Sequence, residues 1–181
     1  MAEEAKPDRV VIIAVDGSDH AWRAFEFYIS AIHQYGDKAI LLHAFELPPL
    51  PYSSGPCCKK ALQRTEEGEG ELDDVVFAYY EEWSAMVKET REQHEAMLRS
   101  YEDICKDKKL HYEIMMVVGK PAGDVICQVA RDVSANLIVL GTRGQGMIRR
   151  TILGSVSDYV VHHSHLPVAV IPAPQEPEQQ A

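Results

Sequence analysis

The sequence predicts an α/β protein with a mainly parallel sheet and helices on both faces of that sheet. Short, nearly continuous apolar runs rich in Val, Ile and Leu recur along the chain, as in strands that are buried on both faces. Amphipathic stretches separate these runs, and strands that alternate with helices form parallel sheets. The chain has 181 residues, which is enough for one domain with its own core.

The first elements are a buried strand, a helix and a second buried strand. The first strand is predicted at residues 9–15 and ends at the turn Asp16-Gly17-Ser18, where Ser18 is a favourable N-cap. Gly36 ends the helix, and residues 38–44 form the next strand. The helix has an apolar stripe of Trp22, Phe25, Ile29 and Ile32.

A segment without regular structure and a long amphipathic stretch come next. Residues 48–71 begin with a Pro-rich run and are rich in Gly, Ser and charge, which predicts a surface insertion. Apolar residues then recur at a spacing of three and four from Leu72 to Ile104. This pattern predicts either one long helix or two consecutive helices.

The last third of the chain repeats the alternation of strand and helix. Strands are predicted at residues 111–118, 136–140 and 167–171. Pro121 suits the first turn of the helix between the first two of them, and another helix follows Gly154. Residues 174–181 are polar and proline-rich, and they are expected to form a flexible tail.

Composition excludes several classes of function. The net charge of −10 argues against nucleic-acid binding, because phosphate contacts need clustered Lys and Arg. The chain opens with acidic residues, and no apolar run is long enough to cross a bilayer, so a cytoplasmic location without membrane contact is expected. The four cysteines do not have the spacing of a zinc or redox motif, although Cys57 and Cys58 fall in the insertion and could be exposed.

A glycine-rich loop follows the fourth strand and carries the strongest functional signal. Gly141, Gly144 and Gly146 allow backbone N–H groups to approach a phosphate without interference from a Cβ atom. Gly154 and Ser155 then begin a helix, whose N-terminus is a second anion site. Ser155 and Asp158 have the spacing of a capping box, so the serine could serve the helix, a phosphate, or both.

The position of Asp16 supports a ligand site near this loop. In an open parallel sheet, ligands bind beyond the carboxyl ends of the strands, where the strand order reverses. If the first and fourth strands are neighbours there, Asp16 and Gly141 face one crevice, and Asp16 suits ribose hydroxyls or a phosphate-bound metal. The loop matches neither the P-loop, since Met147 replaces its lysine, nor the Rossmann fingerprint.

The segment Gly141-x2-Gly144-x9-Gly154-Ser155 resembles the ATP-binding motif of the universal stress protein family. The similarity continues in four shorter segments: Val15-Asp16-Gly17-Ser18, Leu41-Leu42-His43-Ala44, Val118-Gly119-Lys120-Pro121-Ala122 and Pro167-Val168-Ala169-Val170. It covers nearly all of the chain except both ends and the stretch from residue 48 to about residue 75.

The resemblance implies a universal stress protein domain at residues 8–173 with a five-stranded parallel sheet in the order 3-2-1-4-5. This is a Rossmann-like arrangement of the adenine nucleotide alpha hydrolase-like type. It also implies that ATP or another adenine nucleotide binds, with or without Mg²⁺ on the phosphates near Asp16. The family commonly forms homodimers through its last strand, which is Val168–Ile171 here.

The resemblance further implies the residues of the nucleotide site. Asp16 is expected at the ribose, and Ala44 beside the adenine. The implied set is Ala14, Val15, Asp16, Ala44, Leu140, Gly141, Arg143, Gly144, Gly154, Ser155, Val156 and Ser157. Arg143 departs from the smaller residue or histidine that the family often has, and the insertion is longer than a minimal member needs.

Three functions remain open at this level. The first is an ATP-binding regulatory domain in a stress response, and the second is a weak Mg²⁺-dependent ATP hydrolase. The third is a nucleotide-free interaction module with the insertion as its working surface. A metal site at His162, His163 and His165 is disfavoured, because adjacent histidines diverge on a helix and no acid or thiol completes the set.

Overall fold

The computed structural model describes residues 9–49, 72–142 and 153–172, and of residues 72–79 it describes the backbone alone. Several residues singled out in the sequence lie outside these ranges. They are Cys57, Cys58, Arg143, Gly144 and Gly146, most of the predicted insertion, and the C-terminal tail.

The described part of the chain contains five strands and four α-helices. The strands are β1 (Arg9–Ala14), β2 (Asp37–Phe45), β3 (His111–Val118), β4 (Leu137–Gly141) and β5 (Val168–Ile171). The helices are α1 (Asp19–Phe27), α2 (Leu72–Asp107), α3 (Ala122–Asp132) and α4 (Ser155–His163), and a π-helical turn at Tyr28–Ile32 follows α1.

The strands form one parallel sheet in the order β3-β2-β1-β4-β5, which confirms the predicted fold class and strand order. In the central pairing, Ile12 of β1 lies opposite Ile40 of β2 on one side and Ile138 of β4 on the other. β1 therefore has a neighbour from each half of the chain, and the strand order reverses between β1 and β4. The fold is a Rossmann-like α/β arrangement.

The sheet is covered on both faces. On one face, Ile12, Ile40 and Ile138 pack with Ile126 of α3 and Val160 of α4 in a single buried cluster. Side chains alternate along a strand, so the neighbours of these residues, such as Ile13 and Leu41, belong to the opposite face. The aromatic residues of α1 and of the end of α2 lie on that face. There, Trp22 and Phe25 contact Tyr101.

The first helix ends earlier than its apolar stripe predicts. The π-helical turn replaces its last part, with the His33 N–H donating to the Tyr28 carbonyl at 2.7 Å. The turn places Tyr28, which the stripe does not include, at 0% exposure. Gly36 adopts a φ of 90°, a conformation that favours glycine, and leads the chain into β2.

Of the two alternatives for the long amphipathic stretch, the single helix is observed, since α2 is continuous from Leu72 to Asp107. Residues 47–99 form a compact unit distinct from the rest of the chain. Within that unit, the Trp83 indole N–H donates to the Pro48 carbonyl at 3.0 Å, and Arg91 pairs with Glu95 one turn further along the helix at 2.8 Å. None of the described helices is both long and apolar enough to cross a membrane.

Candidate functional site

The carboxyl ends of β1 and β4 lie side by side where the strand order reverses. The two strands pair directly, with Ile13 opposite Val139. Asp16 follows the end of β1, and Gly141 is the last residue of β4. The first and fourth strands are thus neighbours, as the site predicted from the sequence requires, and this reversal of strand order is the place where open α/β sheets bind ligands.

Asp16 is held in the turn between β1 and α1. Its Oδ1 accepts hydrogen bonds from the Ser18 N–H at 3.0 Å and from the Ser18 hydroxyl at 2.6 Å. Ser18 Oγ in turn accepts from the Ala21 N–H at 3.2 Å, so Ser18 caps α1 as predicted. Gly17 between them has a φ of 77°. The carboxylate is thereby fixed at the beginning of the helix and at the edge of the sheet.

A buried histidine supports the end of β1 from the side of β2. His43 is 4% exposed, and its Nδ1 lies 2.7 Å from the Val15 carbonyl oxygen. A carbonyl can only accept, so Nδ1 carries the proton and donates. The Val15 N–H continues the sheet by donating to the Leu42 carbonyl, and Ala14 and Ala44 beside these residues are half-buried.

Gly141 is where α1 approaches the sheet most closely. A Cβ atom on this residue would lie 2.6 Å from the backbone carbon and oxygen of His20. The Thr142 hydroxyl lies 3.3 Å from His20 Nδ1. The space that glycine leaves is therefore filled by the first turn of α1, which is a packing reason for this glycine independent of any phosphate.

The start of α4 is joined to the end of β4 by two hydrogen bonds. The Thr142 carbonyl accepts from the Gly154 N–H at 2.6 Å and from the Ser157 hydroxyl at 2.9 Å. Thr142 itself donates from its backbone to Ile171 of β5 at 3.1 Å. The first turn of α4 consequently begins at the same edge of the sheet as Asp16.

The predicted capping box at Ser155 and Asp158 is wrong. Gly154 is the N-cap residue, Ser155 is the first helical residue, and the Asp158 N–H donates to the Gly154 carbonyl at 2.9 Å. Gly154 has no side chain that could cap the helix. The buried Ser157 hydroxyl lies in this turn, and in addition to the Thr142 carbonyl it contacts the Gly154 carbonyl at 3.0 Å. The N–H groups of the first three residues precede this first helical bond and have no acceptor within the helix.

The structure brings most of the predicted site residues to one edge of the sheet. Asp16, Leu140 and Gly141 lie at the ends of β1 and β4, and Gly154 begins α4 beside them. Sequence reasoning missed His20, His43, Thr142 and Tyr101. Of these, His43 alone carried a signal, since a histidine inside a buried apolar strand needs a polar partner.

Tyr101 of α2 lies near the turn that contains Asp16. It is 1% exposed, and burial raises the pKa of its hydroxyl to about 12, with the negative charge of Asp16 as a second cause. The Gly17 N–H opposes that shift, so two residues of the turn influence the hydroxyl. Tyr101 belongs to the same compact unit as Asp16.

The remaining reactive side chains in the described ranges do not form a second site. No group of three or more His, Cys, Asp and Glu side chains there is arranged to hold a metal ion. His162 and His163 each contact a backbone carbonyl one turn earlier in α4, at 2.8 and 2.9 Å. Cys105 and Cys127 are buried, and burial raises the pKa of the Cys105 thiol to about 11. Such thiols are unreactive.

Comparisons of the sequence with family models and with known proteins point to the same family. The model of the universal stress protein family matches residues 9–172. A universal stress protein of Thermus aquaticus is 30% identical over 164 residues, which are 90% of this chain and 98% of that protein. A universal stress protein of Methanocaldococcus jannaschii is 27% identical over 169 residues, which are 92% of this chain and 83% of that protein.

A solved structure has the same fold. It is a universal stress protein family protein of Arabidopsis thaliana with AMP bound, superposed with a TM-score of 0.56 at 20% identity. The superposition covers 94% of this chain and 97% of that one.

Proposed function

The chain belongs to the universal stress protein family, and from this premise we propose that it binds an adenine nucleotide, with ATP as the expected ligand. The bound nucleotide acts as a signal, and the protein has a regulatory role in a stress response. The Arabidopsis relative was solved with AMP bound, which supports the adenine nucleotide class.

One observation carries the proposal, namely the hydrogen-bonded junction between the end of β4 and the start of α4, beside Asp16. Because the Thr142 carbonyl accepts from both Gly154 and Ser157, the first N–H groups of α4, which have no acceptor within the helix, lie at the carboxyl edge of the sheet. These N–H groups and the helix dipole favour a phosphate. The Asp16 carboxylate is an acceptor suited to two ribose hydroxyls.

The proposed pose assigns a part of the nucleotide to each group of residues. Ala14, Val15 and Asp16 lie along the adenosine, and Ala44 flanks the adenine. Leu140, Gly141, Arg143 and Gly144 surround the ribose and phosphates. Gly154, Ser155, Val156 and Ser157 take the phosphate tail.

The direct test is a calorimetric titration of the full chain with ATP, ADP, AMP and adenosine, with and without Mg²⁺. A ligand at one hundred times its Kd stabilises a protein by about 2.7 kcal/mol, so melting temperatures give a second measurement. We expect saturable binding of at least one nucleotide and a higher melting temperature. If none of the four ligands gives a saturable binding signal or raises the melting temperature, the proposed binding of an adenine nucleotide is excluded.

A charge placed at the start of α4 tests the phosphate end of the pose. Ser155 is exposed and is the first residue of the helix. In Ser155→Asp the new carboxylate favours the helix N-terminus but repels phosphates. We expect ATP affinity to fall about tenfold or more, with no loss of thermal stability.

Adenosine serves as the matched control ligand, because it has no phosphate to repel. Its affinity should be the same for Ser155→Asp and the wild type. A Ser155→Asp protein that binds ATP as tightly as the wild type would place the phosphates elsewhere.

The alternative functions make different predictions. A weak Mg²⁺-dependent ATP hydrolase would release phosphate above background, and Asp16→Ala would abolish that release. The described part of the site contains no evident general base, which favours binding over turnover. A nucleotide-free interaction module would bind none of the ligands in the titration.

A further inference from the structure

The hydroxyl of Tyr101 is not accounted for by the packing of the fold. Its Oη is buried and has no hydrogen-bond partner, a state unique among the buried side-chain polar atoms of the described residues. A buried hydroxyl without a partner destabilises the folded chain, and phenylalanine would fill nearly the same space without that cost. The hydroxyl therefore calls for a reason beyond packing.

The ring of Tyr101 is fixed by two aromatic residues of α1. Its centroid lies 4.7 Å from that of Trp22, and it meets Phe25 edge-on at 5.1 Å and 72°. Because α1 begins at the turn that contains Asp16, the same helix positions both groups. The direction of the hydroxyl is consequently as well defined as that of the turn.

The hydroxyl lies near this turn without a hydrogen bond of normal geometry to it. Both the charge of Asp16 and the N–H of Gly17 influence the pKa of Tyr101, although neither group makes a hydrogen bond of normal geometry with its oxygen. A tyrosine hydroxyl keeps its proton at neutral pH, and the raised pKa of Tyr101 adds to that preference. A donor is thus held close to the carboxylate and is not used.

We propose that Tyr101 is a positioning residue of the nucleotide site, and that its hydroxyl donates to the Asp16 carboxylate when that carboxylate accepts the ribose hydroxyls. This inference rests on the proposed function. Ser18 provides two donors to Oδ1 of Asp16 from the side of α1. A third donor from the buried side would keep the carboxylate directed towards the ribose, as supporting hydrogen bonds do in other binding sites.

The test is Tyr101→Phe titrated with ATP and with 2′,3′-dideoxy-ATP, which lacks the ribose hydroxyls. The wild type should bind ATP more tightly than the dideoxy analogue. We expect Tyr101→Phe to weaken ATP binding about three- to tenfold, the usual effect of one hydrogen bond, and to leave the affinity for the analogue unchanged. The melting temperature of the unliganded variant should not fall, since an unpaired hydroxyl has been removed.

Tyr28→Phe is the matched control. Tyr28 is as buried as Tyr101, but its hydroxyl donates to Asp37 at 3.2 Å, and Asp37 is at the amino end of β2. This variant should lose thermal stability and bind both nucleotides like the wild type. A merely structural tyrosine at position 101 would resemble this control.

The variant Asp16→Asn provides a second measurement. If Tyr101 acts through Asp16, adding Tyr101→Phe to Asp16→Asn has no further effect on ATP affinity. An unchanged ATP affinity in Tyr101→Phe, or an equal loss for ATP and the dideoxy analogue, would overturn the positioning role. A wild type that binds no nucleotide would instead refute the proposed function, and this inference with it.

Discussion

At the scale of single residues, the contact between Gly141 and His20 decides how closely α1 sits against the sheet. The two nearest atoms that a Cβ on Gly141 would meet belong to the backbone of His20, which cannot rotate away. A Cβ on Gly119 would meet a neighbour at the same distance of 2.6 Å, but there the neighbour is a methyl group of Val125. The two glycines form a natural pair for comparison.

We predict that Gly141→Ala lowers the free energy of unfolding by about 2 kcal/mol, a typical cost of overpacking. Gly119→Ala should cost less than about 1 kcal/mol, because a side chain can shift more easily than a helix. Urea denaturation of both variants provides the measurement. Equal losses would show that α1 moves as freely as a methyl group.

Some features of the candidate site could be predicted from single residues of the sequence, and others could not. The positions of Asp16 and Gly154 at one edge of the sheet could be predicted from the sequence, because turns, caps and glycine spacing are local properties. Tyr101 fits the apolar stripe of α2, and nothing in that periodicity distinguishes its hydroxyl. The direction of the hydroxyl depends on Trp22 and Phe25, which are distant in the chain, so only the folded structure could reveal it.

At the scale of elements, a partly buried charged network joins the π-helical turn to the amino ends of β1 and β2. Arg9 of β1 donates to both carboxylate oxygens of Asp37, at 2.8 and 2.6 Å. The Tyr28 hydroxyl and the Gln34 N–H also donate to Asp37. His33 Nδ1 lies 3.6 Å from Oδ2 of the same carboxylate. The carboxylate thus connects the π-helical turn, the short segment after it and two strands.

We predict that Asp37→Asn lowers the free energy of unfolding by about 3 kcal/mol, because it leaves the partly buried Arg9 without its counter-charge. Glu113→Gln is the matched control, since it removes the carboxylate of an exposed ion pair with Lys38 at 2.6 Å. Exposed pairs contribute less than about 1 kcal/mol. Comparable losses in urea denaturation of the two variants would contradict the importance of the network.

The same network predicts a dependence of stability on pH. Burial alone would raise the pKa of Asp37, but the hydrogen bonds from Arg9, Gln34 and Tyr28 and the charge of Arg9 outweigh it, and the pKa lies below its ordinary value. Stability from Asp37 is therefore complete above the unfolded pKa of about 3.9 and disappears as the pH falls through the folded pKa. The difference in unfolding free energy between the wild type and Asp37→Asn should shrink below about pH 4. A difference that stays constant to pH 2 would contradict this.

Most elements were predictable because they follow from burial. Strands covered on both faces give continuous apolar runs, and β3 has the predicted bounds of residues 111–118. The end of α1 was not predictable, because the buried position of Tyr28 depends on a partner, Asp37, in a different element. The stripe of α1 assumes a regular helix, and the π-helical turn changes which residues face the core.

At the scale of the whole molecule, β5 is an edge of the described sheet. The carbonyls of Pro167 and Ile171 accept from β4, so the alternation along a strand directs the backbone groups of Val168 and Val170 away from it. The expected homodimer through Val168–Ile171 would pair these groups with a second copy.

We predict that the N–H groups of Val168 and Val170 exchange slowly with solvent at high protein concentration and faster after dilution. Sedimentation velocity over the same range should show a dimer that dissociates. As an internal control, the Ile138 N–H, which donates to Pro167 within the sheet at 3.0 Å, should show no such dependence. Rapid exchange of both valines at every concentration would rule out this interface.

The hydrogen bond between Thr142 and Gly154 closes the intervening stretch of chain into a ring whose two ends meet at one point. Loops whose ends are held together tolerate changes in length and composition at a small entropic cost. The stretch between these two residues can consequently be replaced as a unit. Replacing it should leave the sheet and its helices intact.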